Sequence, residues 1–203
     1  MKTYKTNEIK NIALLGNDGS GKTTLTEAML YEAGIIKRRG RVSQHTTVSD
    51  YFPVEHEYGY SVFSTVCHVE WNNKKINFID CPGSDDFVGS TLTALNVTDT
   101  AIILLKGSAG VEVGTQIYSR YAKEYGIPLI VAVNQLDGEK ASWETTLETM
   151  KEAFGNKPVV VQYPVAAGPE FDGFIDVLKM KYYRFEGDTG KRQDLEIPAD
   201  RLE

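Results

Sequence analysis

The hydrophobic and polar positions of this chain form two patterns that alternate along the sequence. Contiguous apolar runs with the length of buried strands occur three times: at residues 9–15, 99–105 and 128–133. Apolar residues at the spacing of amphipathic helices follow these runs: at residues 25–33, 113–124 and 142–154. Strands that alternate with helices predict an α/β fold with a parallel sheet, and a further short strand is predicted at residues 158–161.

One segment alternates strictly between apolar and polar positions, which predicts a half-buried strand over residues 62–71. Asn72 and Asn73 are a hairpin turn signal, and residues 75–79 predict the returning strand. The residues predicted on the apolar face are Phe63, Thr65, Cys67, Val69 and Trp71. The sheet is therefore predicted to contain one antiparallel hairpin.

Residues 36–59, between the first helix and the hairpin, show no sustained period. They predict a long loop, and long loops inside compact domains are usually functional or mobile. A basic cluster lies in this loop at residues 37–41. Two interpretations of the cluster stay open, a solvated run of charges or a patch that faces RNA.

The sequence changes character after Tyr163, where prolines, glycines and aromatic residues replace the regular patterns. This change predicts two parts, a domain over residues 1–163 and the start of a small α+β insertion over residues 164–203. The last residues, 198–203, form no recognisable element, so we expect the chain to be part of a longer protein.

Composition places the chain among ordinary globular proteins. It has 203 residues, of which 41% are hydrophobic, and a formal net charge of −6. No apolar run approaches the roughly 20 residues of a membrane span and the first residues lack a signal peptide, so a cytoplasmic location without a membrane partner is expected. The acidic balance argues against unaided binding to DNA or RNA. Cys67 and Cys81 match no metal or redox spacing, and we expect reduced thiols.

The most informative motif follows the first apolar run. Residues 16–23 read GNDGSGKT and fit G-x-x-x-x-G-K-[ST], a phosphate-binding loop, with the expected strand before it and helix after it. Its glycines turn backbone N–H groups towards phosphates, Lys22 reaches the β- and γ-phosphates, and Thr23 gives its hydroxyl to Mg²⁺. The predicted nucleotide-binding residues here are Gly16, Asn17, Asp18, Gly19, Ser20, Gly21, Lys22, Thr23 and Thr24. The fold class is accordingly a P-loop NTPase with a doubly wound, mostly parallel sheet.

Two further motifs lie at predicted strand ends, where doubly wound sheets bind ligands. Asp80 to Gly83 fits D-x-x-G, in which Asp80 holds Mg²⁺ through water and the Gly83 N–H reaches a γ-phosphate. Asn134 to Asp137 occupies the place of N-K-x-D: Asp137 accepts hydrogen bonds from guanine and Asn134 braces the loop. Gln135 replaces the usual Lys, at an expected loss of ~1 kcal/mol if a buried stem contact is missing.

In the order and spacing of these motifs the chain resembles the GTP-binding domain of the translational GTPases, and specifically elongation factor G. The variant details in residues 20–27 and 38–42 are similar to elongation factor G paralogues rather than to the housekeeping factor, and residues 164–178 resemble the start of that family's insertion. The resemblance implies GTP or GDP as ligand, Mg²⁺ as cofactor, and docking of a longer protein on the ribosome, facing large-subunit RNA.

The chain departs from the family at three catalytic positions. The family's hydrolytic His is Ser84 here, which is too short to place the attacking water, and such a loss lowers rates by roughly 10²–10⁴. The switch Thr of the family, a third Mg²⁺ ligand, matches Ser61, and the usual phosphate-loop Asp is Gly19, with Asp18 beside it. Ser84 and Lys22 are the candidate catalytic residues, and GTPase activity is expected to be reduced or lost.

Three hypotheses for the function follow. The first is a ribosome-binding translocation factor that binds GTP and cleaves it slowly or not at all, and position 84 favours it. The second is a hydrolysis-competent translocation factor or a ribosomal-protection factor built on the same domain. The third is an unrelated P-loop ATPase or kinase.

Overall fold

The computed structural model describes residues 2–187 and 190–201. The chain divides into two compact units. The first comprises Met1–Leu105 and Glu112–Asn134, and the second comprises Lys106–Val111 and Gln135–Glu203. The domain boundary expected after Tyr163 stays a prediction.

The first unit is built on a five-stranded sheet in the order β2-β3-β1-β4-β5. Its strands are β1 (Ile9–Leu15), β2 (Thr65–Trp71), β3 (Lys74–Asp80), β4 (Thr100–Lys106) and β5 (Leu129–Asn134). β1 runs parallel to both β3 and β4, while β2 and β3 are antiparallel. The predicted mostly parallel sheet with one antiparallel hairpin is confirmed.

The centre of this sheet is the core of the first unit. Leu14 and Leu15 of β1 and Ile103 of β4 are fully buried, because both faces of central parallel strands are covered. Each such side chain contributes ~1.5–3 kcal/mol of hydrophobic stabilisation. These strands end in the motifs identified above, so the core fixes the position of the candidate site.

The hairpin joins β2 and β3 through Asn72 and Asn73, whose φ values of 46° and 60° are both left-handed. Two such residues form the turn that matches the twist of a two-residue hairpin, as predicted. The predicted strand, however, begins at Thr65 instead of residue 62. Phe63 and Trp71 at its ends are 47% and 52% exposed, because the apolar cluster that covers β2 reaches only its middle residues.

Four helices belong to the first unit: α1 (Lys22–Glu32), α2 (Pro53–Tyr58), α3 (Val88–Leu95) and α4 (Val113–Glu124). α4 has the predicted bounds. α2 lies in the segment predicted as a loop, and that prediction is wrong for these six residues. Pro53 begins the helix, Glu55 accepts from the Phe52 N–H and Gly59 ends it with φ 74°, so local capping forms a helix too short to show a period. α3 had no predicted counterpart.

The second unit contains α5 (Trp143–Phe154) and a four-stranded antiparallel sheet in the order β6-β7-β8-β9. Its strands are β6 (Gln162–Pro164), β7 (Gly173–Asp176), β8 (Lys181–Glu186) and β9 (Lys191–Leu195). The strand predicted at residues 158–161 is wrong, since pairing begins at Gln162. Pro158 has no N–H to donate and Val159 is largely exposed, so little favours a strand there. None of the described helices has the length and apolarity that a membrane span requires.

Candidate nucleotide-binding site

The loop between β1 and α1 has the backbone of an anion cradle. Gly16, Gly19 and Gly21 have φ values of 137°, 69° and 97°, in the region that favours glycine. A Cβ at Gly16 would lie 2.5 Å from the carbonyl oxygen of Leu104, and one at Gly21 would collide with the side-chain amide of Asn134. Glycine is therefore required at both ends of the loop by conformation and by space.

Lys22, at the first position of α1, is buried inside this loop. Its Nζ donates to the carbonyl oxygens of Gly16 at 2.8 Å and Asn17 at 3.1 Å. Burial lowers the pKa of Lys22, and the nearby carboxylates of Asp80 and Asp18 oppose that shift. An ammonium held by backbone oxygens at a helix N-terminus is placed to bind phosphate.

The remaining predicted loop residues have different environments. The Asp18 carboxylate accepts from the Gly19 N–H at 2.8 Å and so shapes the turn. Ser20 is fully buried, and its Oγ, like the Oδ1 of Asn17, has no hydrogen-bond partner among the described residues. Thr24 is exposed. Buried polar atoms without partners are uncommon and point to a ligand or water.

The three predicted Mg²⁺ ligands are brought together. Thr23 Oγ1 donates to Asp80 Oδ2 at 2.9 Å and lies 3.4 Å from Ser61 Oγ. Asp80 is buried, and its Oδ1 has no partner among the described residues. Burial raises the pKa of Asp80 to about 6, against hydrogen bonds from Ser49 and Thr23 that lower it. One carboxylate and two hydroxyls are hard oxygen donors of the kind that Mg²⁺ shares with phosphates, so these residues fit the ion.

Two residues of this cluster were missed by sequence reasoning. Ser49 Oγ donates to Asp80 Oδ2 at 2.8 Å, and Asp50 accepts from Ser61 Oγ at 2.7 Å. Asp50 is buried, which raises the pKa of its carboxyl. Both lie in the aperiodic segment before α2. Their only sequence signal is an adjacent hydroxyl and carboxylate, which is too common to identify a site.

The D-x-P-G turn packs directly on the phosphate loop. A Cβ at Gly83 would lie 2.5 Å from Lys22 Nζ and 2.7 Å from the Asp18 backbone nitrogen, so only glycine fits. From α4, Tyr118 Oη donates to the Gly83 carbonyl at 3.3 Å. Burial raises the pKa of Tyr118 to about 12, which keeps this hydroxyl protonated and able to donate.

Ser84, at the position of the family's hydrolytic His, uses its side chain locally. It caps the 3-10 turn Asp85–Phe87, because its Oγ accepts from the Asp86 N–H at 3.4 Å. The same hydroxyl lies 3.5 Å from the Asp86 carboxylate. A short side chain engaged in capping is poorly placed to orient a water beyond the turn.

The third motif begins at the end of β5. Asn134 Nδ2 donates to the Ser20 carbonyl at 2.9 Å, so Asn134 braces the phosphate loop. Gln135, Leu136 and Asp137 belong to the second unit. There, Gln135 has φ 58° and its carbonyl accepts from the Gly138 N–H at 3.2 Å, which forms a turn with an exposed Asp137. The assignment of Asp137 to guanine stays a prediction.

A phosphate loop, an oxygen cluster for a divalent cation and a glycine turn against that loop define the class as a P-loop nucleotide-binding domain. Residues 7–193 match the family described as the elongation factor Tu GTP binding domain. The chain therefore belongs to that family of GTP-binding domains. The predicted translational GTPase fold and its GTP or GDP ligand class are confirmed.

Individual relatives agree with the family. The chain is 38% identical, over 92% of its length, to an elongation factor G-like protein of Thermotoga maritima. It is 36% identical, over 97% of its length, to elongation factor G 1 of Syntrophomonas wolfei. A crystal structure of a Thermus thermophilus protein matches with a TM-score of 0.87 and 36% identity over 95% of the chain. The chain spans 27–29% of the length of these proteins.

Proposed function

We propose that this chain is the nucleotide-binding part of an elongation factor G-like translation factor, which binds GTP and GDP with Mg²⁺ and acts on the ribosome in translocation. Residues 1–163 would form the GTP-binding domain and residues 164–203 the start of an insertion. The factor would be cytoplasmic, would face large-subunit RNA, and would need no membrane or DNA partner. The observation that carries the proposal is the contact of Thr23 with Asp80, which joins the phosphate loop to the D-x-P-G turn.

The residues of the phosphate loop would divide the binding work. Lys22 and the N–H groups at the start of α1 would hold the β- and γ-phosphates, aided by the helix dipole. Thr23, Ser61 and Asp80 would hold Mg²⁺, which neutralises charge on the phosphates. The Gly83 N–H would contact a γ-phosphate, so this turn would distinguish GTP from GDP. Asp137 would select guanine through its N–H donors.

Hydrolysis would be slow or absent, because Ser84 caps its own turn instead of orienting water. Loss of a positioning group lowers the rate by roughly 10²–10⁴. A hydrolysis-competent translocation factor and a ribosomal-protection factor remain alternatives on the same domain. The unrelated ATPase is not consistent with the family to which the chain belongs.

Binding is tested by calorimetric titration of the chain with GDP and with a nonhydrolysable GTP analogue. We expect both guanine nucleotides to bind in the presence of Mg²⁺ and an ATP analogue to bind far more weakly. Equal affinity for the adenine and guanine analogues would contradict the proposal.

Hydrolysis is tested by single-turnover release of γ-labelled phosphate from GTP in the presence of ribosomes. The unmodified protein should release phosphate slowly, and Ser84→His should accelerate release by at least tenfold, within the roughly 10²–10⁴ range of such groups. Ser84→Ala is the matched control, since it removes the cap without adding an imidazole. Rapid release by the unmodified protein would contradict weak hydrolysis while leaving nucleotide binding intact.

A further inference from the structure

The segment of residues 37–63, which connects α1 to β2 and includes α2, carries a charge opposite to that of the whole chain. Its four cations, Lys37, Arg38, Arg39 and Arg41, are all exposed. Of its three acidic residues, Asp50 and Glu55 are buried and hydrogen-bonded, which leaves Glu57 as the exposed one. The chain as a whole has a net charge of −6, so positive surface is concentrated here.

These cations line a cleft against α1. The cleft has a volume of about 420 Å³ and is lined by the cations together with Tyr31 and Glu27. The Arg39 guanidinium lies 5.7 Å from the centroid of the Tyr31 ring, so the stem of Arg39 is directed along the cleft wall. Guanidinium groups at the mouth of a cleft match the geometry of phosphate oxygens.

The other half of the 37–63 segment exposes aromatic rings. Tyr51 and Tyr58 are 57% and 58% exposed, and Phe52 and Phe63 also reach the surface. The rings contact one another: Tyr51 lies 4.3 Å from Phe52, Phe52 lies 4.9 Å from Phe63, and Tyr58 lies 5.6 Å from Tyr60. Single exposed aromatic residues are ordinary, whereas a connected group of them marks an interaction surface.

Two buried carboxylates hold this surface in one shape. Glu27 of α1 accepts from the Gly40 N–H at 2.7 Å and the Val48 N–H at 2.5 Å. Glu55 of α2 accepts from the N–H groups of Val62 at 3.1 Å and Phe63 at 3.2 Å. Between these anchors the rings of His45 and His56 lie 4.8 Å apart. A surface ordered before binding loses little conformational entropy when a ligand docks.

We propose that the 37–63 segment is a docking surface for RNA with unstacked bases. The arginine cleft would take the phosphates of the strand and the exposed rings would stack on its bases, which is how proteins recognise RNA loops and single strands. An acidic peptide would satisfy the cations but not the rings. Paired DNA would offer phosphates but no free base faces.

The proposal gives the proposed ribosomal function a specific surface and ligand chemistry, and it rests on that function only for its biological setting. The cations and rings that carry it lie outside the phosphate loop and the Mg²⁺ cluster. RNA binding and nucleotide binding are therefore measured separately. A chain that binds RNA but no GTP analogue would contradict the proposed function alone.

The test measures the anisotropy of a fluorescein-labelled RNA hairpin with a ten-nucleotide unpaired loop, titrated with the chain over a series of salt concentrations. One variant combines Arg38→Ala, Arg39→Ala and Arg41→Ala. Its matched control removes three exposed cations elsewhere in the first unit: Lys5→Ala, Lys10→Ala and Lys123→Ala. A second variant combines Tyr51→Ala and Tyr58→Ala, and its control removes the exposed rings of Trp71 and Tyr125.

The two variants should differ in signature. Each phosphate contact with single-stranded nucleic acid contributes ~0.7 to the salt slope, so the arginine variant should lower that slope by about 2. The tyrosine variant should keep the slope and weaken binding by roughly 5- to 100-fold at every salt concentration, because stacking is not ionic. Both controls should bind as the unmodified chain does, and circular dichroism should show all variants folded.

Several outcomes would overturn the proposal. They are the absence of RNA binding at low salt, an arginine variant that behaves like its lysine control, and a tyrosine variant with unchanged affinity. Equal binding of a DNA hairpin of the same sequence would remove the assignment to RNA. Competition by polyglutamate as effective as competition by unlabelled RNA would identify an acidic protein partner instead.

Discussion

Tyr118 is the residue through which α4 reaches the D-x-P-G turn. Its hydroxyl is buried and donates to the Gly83 carbonyl at 3.3 Å. We predict that Tyr118→Phe, which removes only this oxygen, lowers the free energy of unfolding by about 1 kcal/mol, the usual contribution of such a bond. The same change should lower affinity for a GTP analogue about fivefold relative to GDP, since Gly83 is proposed to sense the γ-phosphate.

Urea unfolding and calorimetric titration measure these two effects of Tyr118→Phe. Tyr125→Phe is the control, because its ring lies just beyond α4 and is 41% exposed. The role of the hydroxyl would be contradicted if both variants had the stability and the nucleotide preference of the unmodified chain. Loss of stability without a change in preference would confine Tyr118 to packing.

Among the elements, α2 depends on one buried side chain. Glu55 accepts hydrogen bonds from the N–H groups of Phe52, Val62 and Phe63, and so closes the helix and the segment after it into one loop. We predict that Glu55→Gln, which keeps the shape but replaces one acceptor oxygen with a donor, lowers the free energy of unfolding by about 1–3 kcal/mol.

Hydrogen exchange locates the effect of Glu55→Gln within the molecule. The amides of Val62 and Phe63 should exchange faster in the variant, because their shared acceptor is weakened. Glu57→Gln is the matched control on the same helix, where the side chain is exposed. Equal exchange in both variants would show that Glu55 does not hold this loop.

The same elements show where sequence patterns predict structure and where they do not. α4 and the β2–β3 hairpin were predicted because periodicity and the Asn72–Asn73 turn are local signals. α2 and the strand at residue 162 were not, since their bounds depend on capping and pairing with residues distant from the pattern. Glu27 is the clearest example: it lies on α1 at a position without an apolar signal, yet it is buried because it binds backbone N–H groups 13 and 21 residues later.

The candidate site followed the same rule at the scale of the whole molecule. The loop at residues 16–23, Asp80 and Asn134 were identified because each motif must lie within a few residues of a strand end. Ser49 and Asp50 were missed, because their place at the site is created by long-range contacts with Asp80 and Ser61. Motifs therefore identified the ligand class, whereas the packing around the cation cluster required coordinates.

Nucleotide and Mg²⁺ should act together on the stability of the chain. A ligand that binds only the folded state at about 100 times its Kd adds ~2.7 kcal/mol to the free energy of unfolding. In a protein of this size we expect a nonhydrolysable GTP analogue with Mg²⁺ to raise the Tm by about 5–10 °C. Removal of the cation with EDTA should abolish most of that shift, because Thr23, Ser61 and Asp80 would then face the phosphates without their shared ion.

Differential scanning calorimetry measures this stabilisation, with each protein scanned against its own nucleotide-free reference. Lys22→Ala should lose most of the shift because the buried ammonium is the cation of the loop itself, whereas Lys123→Ala, an exposed lysine on α4, should keep it. An equal shift with an ATP analogue would contradict guanine selection by Asp137. A full shift in EDTA would contradict the cation cluster and leave phosphate binding to the loop alone.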